Sequence, residues 1–134
     1  MPKYAGKRTK CGESFLEQVS VTDLTDGSKA FVSFELFEHL HDCGVFLERL
    51  SELMQSGDLF LFTTLSGIGI DIQALWNQSN SISLQHLNFF NPKSIRILIE
   101  RFGLDVLEVN TPGELDMDIL YKNREKVNDR FIRI

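Results

Sequence analysis

The run from Phe31 to Asp42, FVSFELFEHLHD, constrains the fold more than any other part of the chain. A β-rich, largely apolar stretch passes directly into Glu35-x-x-Glu38-His39, and a helical pattern begins after Asp42. A near-continuous apolar run of this kind is expected of a strand covered on both faces of a parallel sheet. Two carboxylates and an imidazole at the carboxyl end of such a strand are costly to bury. In open α/β sheets, that end is where ligands bind.

The pattern on either side completes the fold class. Asp42 is placed to cap a helix whose stripe is Phe46, Leu47, Leu50, Leu53 and Met54. Gly57 stands where a left-handed helix cap belongs, and Asp58 to Leu65 reads as a second buried strand. Residues 66–90 are the least regular segment, rich in Ser, Asn and Gln around Trp76; so long a stretch in a compact domain is functional or holds a short helix. Asn91-Pro92 opens the clearest helix, with Ile95, Leu98, Ile99 and Phe102 on its buried face and Gly103 at its end. Leu104 to Val109 alternates as a strand, Thr111-Pro-Gly113 stops it, and the tail from Glu114 carries a last helical pattern. Upstream, Leu16 to Thr22 alternates weakly as a short strand before a turn at Asp26-Gly27. Strand, helix, strand, loop, helix, strand is the grammar of a parallel α/β sheet with helical crossovers. Residues 1–29 read as a poorly structured or short-strand lead-in and 30–134 as the folded unit.

Composition narrows the function classes. The 134 residues suit one domain, and 43% hydrophobic with 25% charged residues is ordinary for a globular protein. A net charge of −5 argues against sequence-independent nucleic-acid binding, and the basic residues near both ends read as solvated termini. Cys11 and Cys43 have neither Cys-x-x-Cys spacing nor a disulfide framework, so a reducing, cytoplasmic compartment is expected. No apolar run approaches the ~18 residues of a membrane span. Most of the eleven phenylalanines fall in patterned stretches, where core packing accounts for them.

In order, Phe34-Glu-Leu-Phe-Glu-His39, the capped helix, Gly57-Asp-Leu-Phe-Leu-Phe-Thr63, His86-Leu-Asn-Phe-Phe-Asn-Pro-Lys-Ser94 and the strand before Thr111-Pro-Gly113 resemble the second half of class I S-adenosylmethionine-dependent methyltransferases. The resemblance spans about residues 30–120, with the runs in the family's order and spacing. It implies a partial Rossmann-like sheet and S-adenosyl-L-methionine as cofactor, with Phe34, Glu35 and Leu36 near its methionine end. Asp23 is the nearest candidate for the adenine contact, although a turn-forming aspartate before Gly27 is the favoured reading of it. Trp76, His86, Asn88 and Phe89 are the implied acceptor contacts. Some relatives bind a divalent metal through Glu-x-x-Glu-His; carried over, the ligands are Glu35, Glu38, His39 and His86, where a metal would polarise an acceptor hydroxyl. A bland reading has these glutamates structural and His39 bonded to a loop carbonyl.

The departure from the family counts as much. No first strand, glycine-rich turn or ribose-binding acid precedes residue 30, and Lys10-Cys-Gly12 is no substitute. Gly67-x-Gly69 after the second strand lacks the third glycine and downstream acid of a dinucleotide fingerprint. The expectation is therefore a fragment or truncated methyltransferase acting on a small-molecule or RNA hydroxyl or amine in its complete form. A homodimer or a missing amino-terminal half would complete it, because an open sheet edge invites pairing. The alternative is a non-catalytic interaction or scaffold module that keeps the half-fold.

Overall fold

The computed structural model describes residues 27–112 and 117–127. Strand β1 (Ala30–Phe34) leads through a 3₁₀ turn (Phe37–His39) into helix α1 (Cys43–Leu53), which returns the chain to strand β2 (Leu59–Thr63). Helix α2 (Ile70–Leu75), a 3₁₀ turn (Trp76–Gln78), helix α3 (Pro92–Glu100), helix α4 (Met117–Lys122) and a final 3₁₀ turn (Arg124–Lys126) follow. The strands pair in parallel, from Ala30 opposite Leu59 to Phe34 opposite Thr63, with α1 as the crossover. The expected α/β class is met. Among the described residues no helix is long and apolar enough to cross a membrane.

Local chemistry sets the helix starts. Asp42 Oδ1 accepts from the amides of Gly44 and Val45 at 2.7 and 3.1 Å, which satisfies two of the orphan donors of α1. Asn91 does the same for Lys93 and Ser94, and the Ser94 hydroxyl accepts from the Asn91 amide to close a capping box. The buried faces are those the spacing predicts: Leu47, Leu50 and Leu53 on α1, Ile95 and Ile99 on α3. Gly103 takes φ +74° just past α3, as its position requires.

Gly57 plays a different part from the one expected. Helix α1 ends at Leu53 with Met54 already extended, so Gly57 at φ +92° serves a four-residue turn closed by the Asp58 amide donating to the Gln55 carbonyl. Asp58 then fastens the amino ends of both strands. Its carboxylate accepts from the amides of Lys29 at 2.7 Å and Gln55 at 2.9 Å, with the Lys29 ammonium at 3.4 Å. The Gln55 amide foremost, with Lys29, holds the Asp58 carboxyl below its ordinary pKa despite the opposing effect of burial.

Phe37 is the centre of the core. It is fully buried in the turn after β1 and contacts four rings: Phe62 stacked at 4.6 Å, Phe46 edge-on at 5.3 Å, Phe60 at 6.1 Å and Phe90 at 6.4 Å. Strand, helix and the α3 approach therefore meet on one side chain. A smaller cluster of Ala74, Leu75 and Leu120 joins α2 to α4.

Two expectations fail. The strands are not covered on both faces: Phe31, Phe60 and Phe62 pack inward, whereas Val32, Phe34, Leu59 and Leu61 remain between 55% and 62% exposed. Helices α1 and α3 pack on one side of a sheet that is two strands wide among the described residues, and none of these residues covers the other. Leu104–Val109 is no strand. Leu104 and Val106 alternate onto the core, but the alternation breaks where Leu107 and Glu108 are both exposed before Val109 packs again, and no described strand offers the segment a ladder. Its fixed contact is instead with α3, where the Arg96 guanidinium donates to the Val106 carbonyl. The lead-in at 1–26, with Cys11 and the expected strand at 16–22, lies outside the described residues.

Replacing Phe37 by Ala leaves a cavity among four rings and should cost about 3–5 kcal/mol. Urea unfolding is expected to show this loss with an unchanged slope; a loss below about 1 kcal/mol would remove Phe37 from the centre of the fold.

Candidate functional site

Both strands end on one edge, and the side chains there form a clamp. After Phe34 the backbone turns sharply at Glu35, a non-glycine residue at φ +48°, a conformation held only where surrounding contacts enforce it. Those contacts come from the end of β2. The Glu35 amide donates to the Thr63 carbonyl at 3.1 Å, and the Thr63 hydroxyl donates to Glu35 Oε1 at 2.6 Å. Three residues on, the Thr64 hydroxyl donates to the buried Glu38 carboxylate at 2.8 Å. The two acids of Glu35-x-x-Glu38 thus meet two consecutive threonines.

The strip before α3 locks the same turn from its other side. The amides of Leu87 and Asn88 both donate to the Glu38 carbonyl, at 2.6 and 3.2 Å. The Asn88 side-chain amide donates to the carbonyls of Phe37 at 3.0 Å and Leu40 at 2.6 Å. Asn88 is therefore spent on the backbone and serves as a tie. His39 and His86 lie beside it with ring centroids 4.9 Å apart. The Nδ1 of His39 bonds the Gln85 carbonyl at 2.9 Å, and that of His86 the Ser81 carbonyl at 2.6 Å. A carbonyl oxygen only accepts, so both Nδ1 atoms carry the proton and, in the neutral rings, both Nε2 atoms carry the lone pair.

The irregular segment 66–90 builds a cavity next to this pair. Its volume is about 320 Å³, and its lining is Gly67, Ile72, Trp76, Asn77, Ile82 and Phe89. Phe89 connects it to the histidines, its ring edge-on to His86 at 6.4 Å. Trp76 is 70% exposed and takes φ +48° and ψ −123°, a region normally left to glycine. Beneath, the buried Asp71 carboxylate accepts from the hydroxyls of Ser79 at 2.6 Å and Ser81 at 2.8 Å. Burial alone would raise the Asp71 pKa, but the two hydroxyls with the Ile72 and Asp71 amides outweigh it and hold the carboxyl below its ordinary value.

The structure thus gathers Phe34, Glu35 and Leu36 at the carboxyl edge, and Trp76, His86 and Phe89 at or beside the cavity. Asp23 lies outside the described residues. The expected metal set does not form: among the described residues no three His, Cys, Asp or Glu side chains come together to hold an ion. Glu38 is buried against Thr64 and Glu35 is held by Thr63, so both acids are committed within the fold. Gly67 and Gly69 form no phosphate loop. A Cβ on Gly67 would fall 2.9 Å from that of Phe89, so its smallness serves this contact. The sequence pattern did not single out Thr63, Thr64 or Asp71. A pair of threonines closing the second strand, opposite the run that carries the two acids, was the available signal.

A family model described as a methyltransferase domain matches residues 15–109, a span that includes the clamp, the histidine pair and the cavity. No curated protein and no solved structure matches the chain.

Because the folded Asp71 pKa is depressed, its carboxylate contributes stability that is present above the unfolded pKa of about 3.9 and lost as pH falls through the folded value. The stability gap between the protein and its Asp71→Asn variant should be widest above about pH 5 and close in acid, as read by urea unfolding across pH. A gap independent of pH would contradict the assignment.

Proposed function

The chain belongs to the methyltransferase domain family, and from that premise we propose that it forms the acceptor side of an S-adenosyl-L-methionine-dependent methyl transfer to a hydroxyl or amine. The single observation that carries this reading is the strained turn at Glu35, which fixes an exposed carboxylate and the exposed Phe34 ring at the carboxyl edge of β1. A carboxylate beside an aromatic ring suits a ligand with a sulfonium and an ammonium group, through charge and cation–π attraction. Glu35, Phe34 and Leu36 would hold the methionine end of S-adenosyl-L-methionine, which supplies an electrophilic methyl group. Contacts for its adenosine end are not found among the described residues, and the family match covers no glycine-rich turn.

Each methyl gained by a hydroxyl or amine releases one proton. Among the described residues the histidine pair is best suited to take it, since both Nε2 atoms are acceptors in the neutral rings. The Glu-x-x-Glu-His run acts here as the clamp that positions this pair, in place of a metal set. The adenosine contacts would come from a second copy or a separate amino-terminal half. Among the described residues both sheet edges are open and Val32, Phe34, Leu59 and Leu61 form an exposed face, which favours a homodimer.

Calorimetric titration with S-adenosylhomocysteine, on a sample whose mass is fixed by light scattering, tests this directly. Micromolar binding to a dimer is expected, weakened about tenfold or more by Glu35→Ala, equivalent to about 1.4 kcal/mol. No heat at millimolar ligand would leave the chain as a non-catalytic module that keeps the family's half-fold.

A further inference from the structure

The cavity of segment 66–90 has a definite chemical character. Of its lining side chains only Asn77 is polar and none is charged; Ile72, Trp76, Ile82 and Phe89 supply the rest above the Gly67 backbone. At about 320 Å³ it lies at the small end of ligand pockets, which run from about 300 to 1,000 Å³, so it fits a ring-sized group. It offers no cation for a phosphate and a single amide for reading the edge of a base, which disfavours an RNA acceptor.

The walls are fixed in place. The Ser79 and Ser81 hydroxyls bonded to Asp71 hold the turn that carries Ile82. The Gly67 amide donates to the Phe90 carbonyl at 2.7 Å, and the absent Cβ lets Phe89 close over it. Trp76 is held in a strained backbone conformation while its indole stays 70% exposed, an arrangement that costs stability and leaves the ring's face open to a ligand. Strain and an exposed indole on the rim of a preformed apolar cavity are what a recognition wall requires.

We propose that this cavity seats an uncharged aromatic group of the methyl acceptor, with Trp76 and Phe89 as its aromatic walls. Offset and edge-on ring contacts favour an aromatic occupant over an aliphatic one of similar size. Phe89 reaches from the cavity to His86, which in turn meets His39, so a ring seated here lies next to the proton-accepting pair. The aromatic acceptor class rests on the methyl-transfer reading; the seat itself rests on the cavity.

Trp76 is the only tryptophan, so intrinsic fluorescence reports on the cavity directly. The full chain is titrated with 4-methylphenol, with 4-hydroxybenzoate as the charged comparison and 1-hexanol as the aliphatic one. A saturable change with 4-methylphenol is expected, with 4-hydroxybenzoate about tenfold weaker and hexanol also weaker. Ile82→Glu should weaken 4-methylphenol about tenfold; if that variant fails to unfold cooperatively, the exposed, isosteric Asn77→Asp carries the same test. No saturable change, or equal binding of either comparison, would overturn the aromatic seat. Heat from S-adenosylhomocysteine without 4-methylphenol binding would overturn the seat alone. Binding of 4-methylphenol without that heat would leave the seat standing and overturn its role in methyl transfer.

Discussion

The burial of Phe37 is the constraint on which the rest of the structure depends. Among the described residues the sheet has two parallel strands and one uncovered face, and a pair this small buries too little to hold itself together. Phe37 solves this by leaving the line of β1, turning inward at the 3₁₀ turn, and joining β2, α1 and the approach to α3 in one aromatic cluster. To turn there the chain must reverse sharply, and the reversal is taken at Glu35 with its left-handed backbone. The strained residue and the buried one are two parts of the same bend.

That bend brings the candidate site with it. Turning Phe37 inward places Glu35 outside and Glu38 beneath, so each acid meets its own threonine at the end of β2. The carbonyls freed by the bend, at Phe37, Glu38 and Leu40, are satisfied by Leu87 and Asn88. Residues 85–88 are thereby laid against the turn, and His86 comes to face His39. Core packing, backbone satisfaction and the histidine pair therefore share one cause. The cavity is the next consequence, since Phe89 follows directly from this strip and forms its wall.

Much of this was legible in the residues. Asp42 and Asn91-Pro92 capped the helices where their chemistry placed them, and the Leu and Ile stripes named the buried faces. Glu35 and Trp76, singled out as site residues, are the two described non-glycine residues with positive φ. Other features depend on distant partners and were not legible. Val32 and Leu61 look like core residues in sequence, yet no described element packs over them. Leu104–Val109 alternates as a strand does, but a strand also needs a neighbour. Asn88 and the Glu-x-x-Glu-His acids carry polar atoms that could have met a ligand; the carbonyls and hydroxyls that occupy them lie 26 or more residues away in sequence. Asp71 drew no notice because its serines arrive from the irregular segment.

The central claim is that the carboxyl edge is one preformed clamp, closed before any ligand arrives. Native-state hydrogen exchange at the amides of Glu35, Leu87 and Asn88 measures this most directly, since each donates across the clamp to Thr63 or Glu38. The account predicts that all three are protected in the free protein and lose protection together in Glu38→Ala, as members of one cooperative unit do. Rapid, independent exchange of Leu87 and Asn88 in the free protein would contradict it, because the strip carrying His86 would then not be fixed against the turn.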